Sequence, residues 1–280
     1  MKKISREETR TIRQLTEQYE IEKELSNKLR NATKEERKNL YGKVYDEFYQ
    51  RVPHHPQLKR KEQPQLQRKK IHKQVRLLSN FFAPDDTFME LGPGDCNLAF
   101  ELCKHFKKVY AIDVSEEIAK NSQRPTNFEL VLSDGISVDI EPQSVDIAYS
   151  YQLMEHLHPE DAFEQLQNIY NALVNGGVYI CITPHRFMGP HDISKHFDTI
   201  ATGFHLKEYI NIELYSLFKS VGFRKVQSLF GKKRKVIRIP IYFAIIIEWL
   251  ISFLPRSSIK SISRLSLIKR LLSIKLIATK

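Results

Sequence analysis

From residue 87 onward, short apolar runs alternate with amphipathic segments. The runs predict β-strands at residues 87–91, 109–112, 128–132, 145–150, 178–183, 225–230 and 273–279. The segments between them predict helices at residues 97–106, 115–122, 160–174 and 206–221. Because strands that alternate with helices form right-handed βαβ units, we expect an α/β fold with a doubly wound, mostly parallel sheet covered by helices on both faces.

The N-terminal part of the chain has a different pattern. Residues 4–50 are highly charged, lack proline and contain no glycine before Gly42, which predicts one or two exposed helices. Prolines then predict a turn or linker at residues 52–65, and helix resumes at residues 66–82. We therefore expect an N-terminal helical cap (residues 1–79), an α/β core (residues 80–230) and a C-terminal segment (residues 231–280).

Residues 231–272 form an apolar and basic segment between the last two predicted strands. One face of a predicted helix there carries Phe243, Ile246, Ile247, Leu250 and Leu254. This helix is apolar nearly all round, so it is either buried or in contact with lipid. Residues 257–272 mix apolar side chains with Lys and Arg, as interfacial helices do. Two interpretations stay open: contact with a membrane surface, or an internal lid whose basic residues are only solvated.

The net charge of +11 is concentrated in the same part of the chain. Residues 231–280 contain 12 Lys and Arg against one acid, Glu248, so the first 230 residues are neutral overall. Such a segment favours an anionic partner surface, either membrane or nucleic acid, or is a solvated face without a partner. Nucleic acid is the weaker choice, because the chain has no RRM, KH or zinc-finger signature and the basic stretch is rich in Ile.

Composition excludes several classes of protein. Apolar residues make up 41% of the chain and charged residues 28%, which is typical of globular domains and rules out disorder of the whole chain. Three cysteines without a CxxC pair argue against a disulfide framework and fit a reducing compartment. The charged N-terminus has no apolar signal-peptide region, and the longest apolar stretch falls short of the roughly 20 residues of a transmembrane helix. We therefore expect a cytoplasmic protein, with peripheral membrane contact as an open alternative.

The first strand of the core ends in a glycine-rich loop. Gly92 and Gly94 allow a ligand to approach the backbone closely at the carboxyl end of the strand, where open α/β sheets bind ligands. Asn97 replaces the third glycine of a dinucleotide-binding loop, and no P-loop Lys follows. Glu90 precedes the loop, and an acid is a poor neighbour for phosphate but a good one for a cation. The loop therefore predicts a cationic ligand without a phosphate.

Acidic residues also end the second and third strands. Asp113 lies 19 residues after Gly94, a spacing that suits a carboxylate accepting hydrogen bonds from both hydroxyls of a ribose. Asp134 follows the third strand, where an acid is placed to accept a hydrogen bond from an adenine amino group. Since these strand ends meet at one edge of the sheet, they predict a pocket for a positively charged adenosine.

The core resembles the class I S-adenosylmethionine-dependent methyltransferases, specifically those with the type 11 domain. FMELGPGDC is similar to the family's first motif, AIDVS to its ribose-binding motif and LSDG to its adenine-binding motif. VDIAYSYQLMEHL is similar to the fourth-strand motif, and NALVNGGVYICITP to the helix and strand that follow. The resemblance covers residues 80–230 and departs from the family at Cys96, which replaces a third glycine.

This resemblance implies a cofactor and a topology. The cofactor is S-adenosyl-L-methionine, and the residues that match the binding motifs are Glu90, Gly92, Gly94, Asp113 and Asp134. The implied Rossmann-like sheet has seven strands, of which the last is antiparallel and is supplied by residues 271–280. Residues 231–272 are then a helical insertion before the last strand.

Histidines after the fourth and fifth strands are the candidates for acceptor positioning or general base catalysis. They are His156, His185 and His191, and for His156 a purely structural role is equally open. The histidine spacings in the loop after the fifth strand match no simple ligand pattern, so we expect no metal. The expected activity is methyl transfer to a small or lipid-associated acceptor held by the cap, the loop after strand five and the insertion. The alternative is a non-catalytic protein with a regulatory or assembly role.

Overall fold

The computed structural model describes residues 8, 10–56, 58, 64–115, 124–232 and 235–280. The helices in this part are α1 (Ile12–Asn31), α2 (Lys34–Lys38), α3 (Tyr41–Arg51), α4 (Pro64–Leu78), α5 (Asn97–Leu102), α6 (Pro159–Ala172), α7 (Asn211–Val221), α8 (Tyr242–Ser252), α9 (Arg256–Ile262) and α10 (Ser266–Leu272). The strands are β1 (Thr87–Leu91), β2 (Lys108–Asp113), β3 (Phe128–Leu132), β4 (Val145–Tyr151), β5 (Leu173–Ile182), β6 (Lys225–Lys232), β7 (Lys235–Pro240) and β8 (Lys275–Thr279). The helix predicted at residues 115–122 lies almost entirely outside the described residues.

The strands form one sheet in the order β3-β2-β1-β4-β5-β8-β6-β7. Strands β1 to β5 are parallel, whereas β8 runs antiparallel between β5 and β6. The doubly wound, mostly parallel sheet with an antiparallel terminal strand is therefore confirmed. Since the parallel strands point the same way, the loops after β1, β2, β3, β4 and β5 meet at one edge of the sheet.

The sheet has eight described strands, where seven were expected. The additional strand is β7, which lies in the segment predicted as a helical insertion and pairs antiparallel with β6 at the sheet edge. Its basic and apolar residues resemble those of the helices that follow, so the pattern did not separate it from them. Pro240 ends the strand, as is common for edge strands that must not recruit another chain.

Side chains alternate between two cores on opposite faces of the sheet, as the two-residue period of strands requires. Phe88 and Tyr149 contribute to the core under α4 and α5. Met89 and Ala148 contribute to the core under the N-terminal helices, α6 and α7. Both faces of the sheet are thus covered, which accounts for the nearly continuous apolar runs of its central strands.

The N-terminal residues form three helices in the described part, where one or two were expected. Thr11 and Thr33 begin α1 and α2 with capping boxes, which stop the charged segment from forming one continuous helix. Arg37 is buried and donates from Nε to Asp161 Oδ2 at 2.6 Å and from Nη2 to Oδ1 at 2.8 Å. Tyr41 donates to the same carboxylate at 2.7 Å. These bonds hold α2 and α3 against α6.

The C-terminal insertion is held to the core by one buried acid. Glu248 of α8 accepts hydrogen bonds from the backbone N–H groups of Asn211 and Ile212, so it caps the N-terminus of α7. This cap explains why α7 begins at Asn211 and not at residue 206 as expected. Among the described residues, no helix has the length and apolar character needed to span a bilayer.

Candidate active site

The loop after β1 has the backbone conformation of a ligand-binding turn. Gly92 and Gly94 have φ of +64° and +58°, in the left-handed region that favours glycine. A Cβ on Gly94 would meet nothing within 4 Å, so the space above this loop is open to a ligand. Cys96 also has a positive φ, of 55°, where the family has its third glycine. The loop therefore keeps its shape at Cys96 despite the side chain.

Acidic groups surround this open space. Asp113 lies at the end of β2, where its Oδ2 accepts a hydrogen bond from the Gly94 N–H at 3.2 Å. Burial raises the pKa of Asp113 to about 6, although backbone hydrogen bonds lower it in part. Burial, helped by the charges of Asp95 and Asp113, raises the pKa of Glu90 to about 8. Glu90 Oε2 is buried and has no hydrogen-bond partner among the described residues.

These acids fit the cationic adenosine cofactor that the family resemblance implies. A buried carboxyl with a pKa near 8 is held neutral by its surroundings, and a nearby cation would restore its charge. The unpartnered Glu90 Oε2 and the open Gly94 backbone suit a sulfonium compound better than a phosphate. Glu90, Gly92, Gly94 and Asp113 therefore lie together at the edge of the sheet, as a shared cofactor site requires.

Asp134 lies at the same edge but is engaged in its own turn. Its Oδ1 accepts hydrogen bonds from the N–H groups of Ile136 and Ser137 and from the Ser137 hydroxyl. Burial raises the pKa of Asp134, but these hydrogen bonds outweigh it and leave the pKa below its usual value. Any contact with an adenine amino group would thus use the other oxygen of this carboxylate.

The N-terminal cap covers the edge where the cofactor residues lie. Tyr41 of α3 packs against Gly135, whose Cβ would lie 3.0 Å from the Tyr41 ring. The Tyr45 hydroxyl is 3.0 Å from His156 Nδ1, and this histidine follows β4. The cap therefore contacts the loops after both β3 and β4, and closes this side of the site to water.

His156 is a weak base in this environment. Burial and the charge of His205 lower the pKa of His156 to about 3, which a hydrogen bond with the Phe204 backbone only partly offsets. The ring therefore stays neutral at physiological pH. Its neighbour Glu155 is fully buried, and Thr183 donates a hydrogen bond to its Oε2 at 2.6 Å. Burial raises the pKa of Glu155 to about 6, and its Oε1 has no partner among the described residues.

Glu155 and His205 are functional candidates that the sequence analysis did not single out. His205 stacks edge-on against His156 with ring centroids 5.0 Å apart, although the two are far apart in sequence. Burial lowers the pKa of His205, but its 2.8 Å hydrogen bond to Glu208 raises it above the usual value overall. A carboxyl with a pKa near 6 beside a basic histidine is a chemically suitable proton acceptor. In the sequence, the signal for Glu155 was its position directly before His156, which was predicted as a catalytic candidate.

His185 and His191 hold the loop after β5 together. The Phe187 N–H donates to His185 Nδ1 at 3.1 Å, so Nε2 carries the proton and donates to Glu248 at 2.7 Å. His191 Nε2 hydrogen-bonds the backbone carbonyl of His185 at 3.1 Å. Burial is the main cause that lowers the pKa of His191. Both predicted catalytic histidines are thus engaged in contacts within the fold, and His185 connects the loop to the insertion.

A cavity of about 220 Å³ adjoins Glu155 and His156 through His205. The loop after β5 and α9 supply its charged lining and a histidine, namely Arg186, His205, Lys207, Glu208 and Arg256. Arg186 is paired with Glu213 at 2.8 Å and His205 with Glu208 at 2.8 Å, so Lys207 and Arg256 are the bases that give the cavity its positive charge. An apolar groove of about 440 Å³ lies on the other side of the turn at residues 186–188, lined by Phe187, Ile210, Ile245 and Trp249 among others.

The structure also contains side-chain clusters with the composition of metal sites. Ligand atoms of Glu155, His156 and His205 lie within 4.8 Å of one another. His158, Glu160 and Asp161 form a second such group. The second group is neutralised by Arg37, which binds both acids. The first is the cluster of Glu155, His156 and His205 described above.

Residues 89–181 match the family model described as a methyltransferase domain. The matched region runs from β1 to β5 and contains the glycine-rich loop, Asp113, Asp134 and Glu155. No curated protein matches the sequence. The family model therefore covers the half of the sheet that carries the candidate cofactor residues.

Solved structures share the fold at low sequence identity. An S-adenosylmethionine-dependent methyltransferase from Archaeoglobus fulgidus is similar over 76% of this chain and 94% of its own, with 21% identity and a TM-score of 0.51. A chain in the complex between a Haloferax volcanii methyltransferase activator and a methyltransferase is similar over 80% of this chain and 95% of its own, with 15% identity and a TM-score of 0.54. Both likenesses extend beyond the matched domain, so the fold is shared by most of the chain.

Proposed function

We propose that this chain is a class I S-adenosylmethionine-dependent methyltransferase and that it methylates a small or lipid-associated acceptor. Its fold and the methyltransferase domain matched by residues 89–181 support this proposal. The acceptor is held by the N-terminal cap, the loop after β5 and the C-terminal insertion. The observation that carries this proposal is the cavity lined by His205, whose ring stacks on His156 in the loop after β4.

A chain of contacts joins the cofactor loop to the cavity. Leu153, in the loop after β4, packs 3.1 Å from the position of a Cβ on Gly92. His156 follows three residues later and stacks on His205, which lines the cavity. These contacts link the cavity to the loop that touches Gly92, and methyl transfer would further require the acceptor atom to come within about 3–3.5 Å of the methyl group.

S-adenosylmethionine supplies an activated methyl group, so the chain's own residues have to orient the acceptor and manage its proton. The proposed acceptor of that proton is Glu155, whose pKa near 6 leaves it mostly ionised at neutral pH. Because Glu155 is fully buried and does not line the cavity, the proton would reach it through His205. His205 lies beside it and is linked through Glu208 to the cavity. Tyr45 and His156 exclude water from this cluster.

The two adjoining cavities support an acceptor with an anionic part and an apolar part. Lys207 and Arg256 favour a phosphate or carboxylate in the first cavity, since Arg186 is already paired with Glu213. Phe187 and Trp249 line the groove beside it, which suits a hydrocarbon chain. A lipid-linked anion combines both features, and a soluble anion uses the first cavity alone.

The test has two stages. Calorimetric titration of S-adenosylmethionine into wild type and Asp113→Asn should show micromolar binding that the variant loses. Methyl transfer to lipid extracts and to soluble anions is then measured with Arg256→Gln, which we expect to raise the acceptor KM about tenfold without changing cofactor affinity. The matched control is Arg13→Gln, an exposed position on α1. Wild type that is folded but binds no cofactor, or an unchanged acceptor KM in Arg256→Gln, would refute the proposal.

A further inference from the structure

The outer face of α8 is apolar and largely uncovered by the described residues, although Tyr242 at its start contacts Tyr215 of α7, with the two hydroxyls 3.0 Å apart. Its exposed side chains, together called the α8 face, are Tyr242, Phe243, Ile246, Trp249, Leu250 and Phe253. The opposite side of the helix carries Ala244, Glu248 and Ile251, which are buried against the core. The helix that the sequence predicts to be apolar nearly all round therefore has one side packed against the core and one side that faces outward.

Basic residues surround this face. Arg264, Lys269 and Arg270 are exposed on or beside α10, which packs against α8, and none has an ion-pair partner among the described residues. Leu265 and Leu267 are exposed between them. Because Glu248 is buried and is the sole acid of residues 231–280, no exposed acid of this segment neutralises the bases.

We propose that the α8 face and the bases of α10 dock the protein onto an anionic lipid bilayer. Aromatic and aliphatic side chains enter the boundary between head groups and acyl chains, while Lys and Arg beside them attract anionic head groups. Trp249 and Tyr242 have the amphipathic rings that concentrate at this boundary. The α8 face thus supplies the apolar side chains that such a surface binds, and the bases of α10 supply the positive charge.

Charge argues against the two other occupants. A second copy of the chain would form a self-complementary interface, which would bring Arg264, Lys269 and Arg270 close to their own counterparts without an acid to pair with. Nucleic acid would neutralise the bases but would leave the apolar face exposed, since such interfaces are strongly polar. A bilayer satisfies both parts of the surface at once.

The apolar groove continues from the α8 face toward the loop after β5. Ile246 and Trp249 belong to the face and also line the groove, which reaches Phe187 in the loop after β5. A bilayer on the α8 face would therefore open directly onto the groove beside the basic cavity. Docking itself does not depend on the proposed methyl transfer.

Trp249 is the single tryptophan of the chain and is 60% exposed, so its fluorescence reports the α8 face directly. The experiment adds vesicles of phosphatidylcholine alone, or with about 30% phosphatidylglycerol, to the full chain without cofactor or acceptor. We expect the emission of Trp249 to shift to the blue with anionic vesicles, and the shift to weaken as salt is raised.

Two pairs of substitutions separate the charged and apolar parts. Lys269→Gln with Arg270→Gln should weaken vesicle binding about 25-fold, at about fivefold for each charge lost. Its control, Lys69→Gln with Lys73→Gln on α4, removes two exposed bases elsewhere and should change binding little.

The apolar pair is Leu250→Ser with Phe253→Ser, at positions 55% and 70% exposed, and it should abolish the blue shift. Its control is Ile12→Ser with Leu66→Ser, at positions 55% and 61% exposed. An unchanged midpoint of urea unfolding shows that each variant is folded.

Three results would overturn the proposal. If the emission of Trp249 does not change when anionic vesicles are added, the docking proposal is refuted. A blue shift that appears without lipid as protein concentration rises, together with a dimeric mass, assigns the face to a second copy. Binding that follows nucleic acid instead of vesicles assigns the bases to that partner. Because cofactor and acceptor are left out, a failure here is separate from a failure of methyl transfer.

Discussion

Glu90 provides the most direct test of the cofactor site, because burial in the fold disfavours the ionised form of its carboxyl group. Its pKa is raised from 4.5 to about 8, mainly by burial. The folded chain therefore keeps a proton that the unfolded chain releases, so the free energy of unfolding falls as pH rises from about 4.5 to about 8. Between about pH 5 and pH 9, this linkage removes about 4 kcal/mol of stability.

The perturbation is Glu90→Gln, which keeps the shape of the side chain and removes its titration. Urea unfolding of wild type and variant from about pH 5 to pH 9 gives the difference in unfolding free energy at each pH. Wild type should lose about 4 kcal/mol relative to the variant across this range, because the other titrating groups are shared. The control Glu101→Gln on α5 should follow wild type at every pH.

The cofactor should reverse this effect, because its positive charge favours the ionised carboxyl. In wild type, affinity for S-adenosylmethionine should rise by up to tenfold per pH unit below about pH 8, whereas in Glu90→Gln it should change much less. S-adenosylhomocysteine, whose sulfur is neutral, should lack the part of this dependence that comes from the sulfonium charge. Parallel stability curves for wild type and Glu90→Gln would refute the reasoning.

Further predictions concern the proton acceptor and the cap. Glu155→Gln should lower kcat by about a hundredfold for a hydroxyl acceptor and remove the rise of wild-type kcat through about pH 6, and steady-state pH profiles that coincide would contradict this role. Arg37→Ala should destabilise the fold by about 3–5 kcal/mol in urea unfolding, since it leaves the Asp161 carboxylate buried without its partner, whereas Lys38→Ala should cost less than about 1 kcal/mol. Gly189→Ala should lower kcat and stability together, because its Cβ would collide with the Glu208 carboxylate that holds His205.

Local patterns in the sequence predicted the strands of the core and the loop after β1. Buried parallel strands are apolar along their whole length, so they are visible without knowledge of their neighbours. Gly92, Gly94 and Asp113 were predictable because a tight turn and a strand end leave local signals. The helix boundaries were less accurate: α7 starts at Asn211 because Glu248 caps it, and that residue lies far along the chain.

Tertiary structure alone decided which side chains form the candidate cluster of Glu155, His156 and His205. Glu155 and His205 are adjacent only because the loop after β5 folds back over the end of β4. The same contacts engage His185 with Glu248, so a histidine that looked catalytic in the sequence connects the loop to α8. Burial, which sets the pKa values of Glu90 and Glu155, is a property of the packed fold and leaves no signal in the residue order.

The sequence by itself determined the fold class, the glycine-rich loop and the acids at the strand ends, because each depends on neighbouring residues in the chain. It also placed the excess positive charge in the last fifth of the protein. Only the packed structure decided that Glu248 turns inward while Trp249 and Phe253 face outward. The two sides of α8 are both largely apolar, so their different environments follow from long-range packing and not from the pattern of the helix.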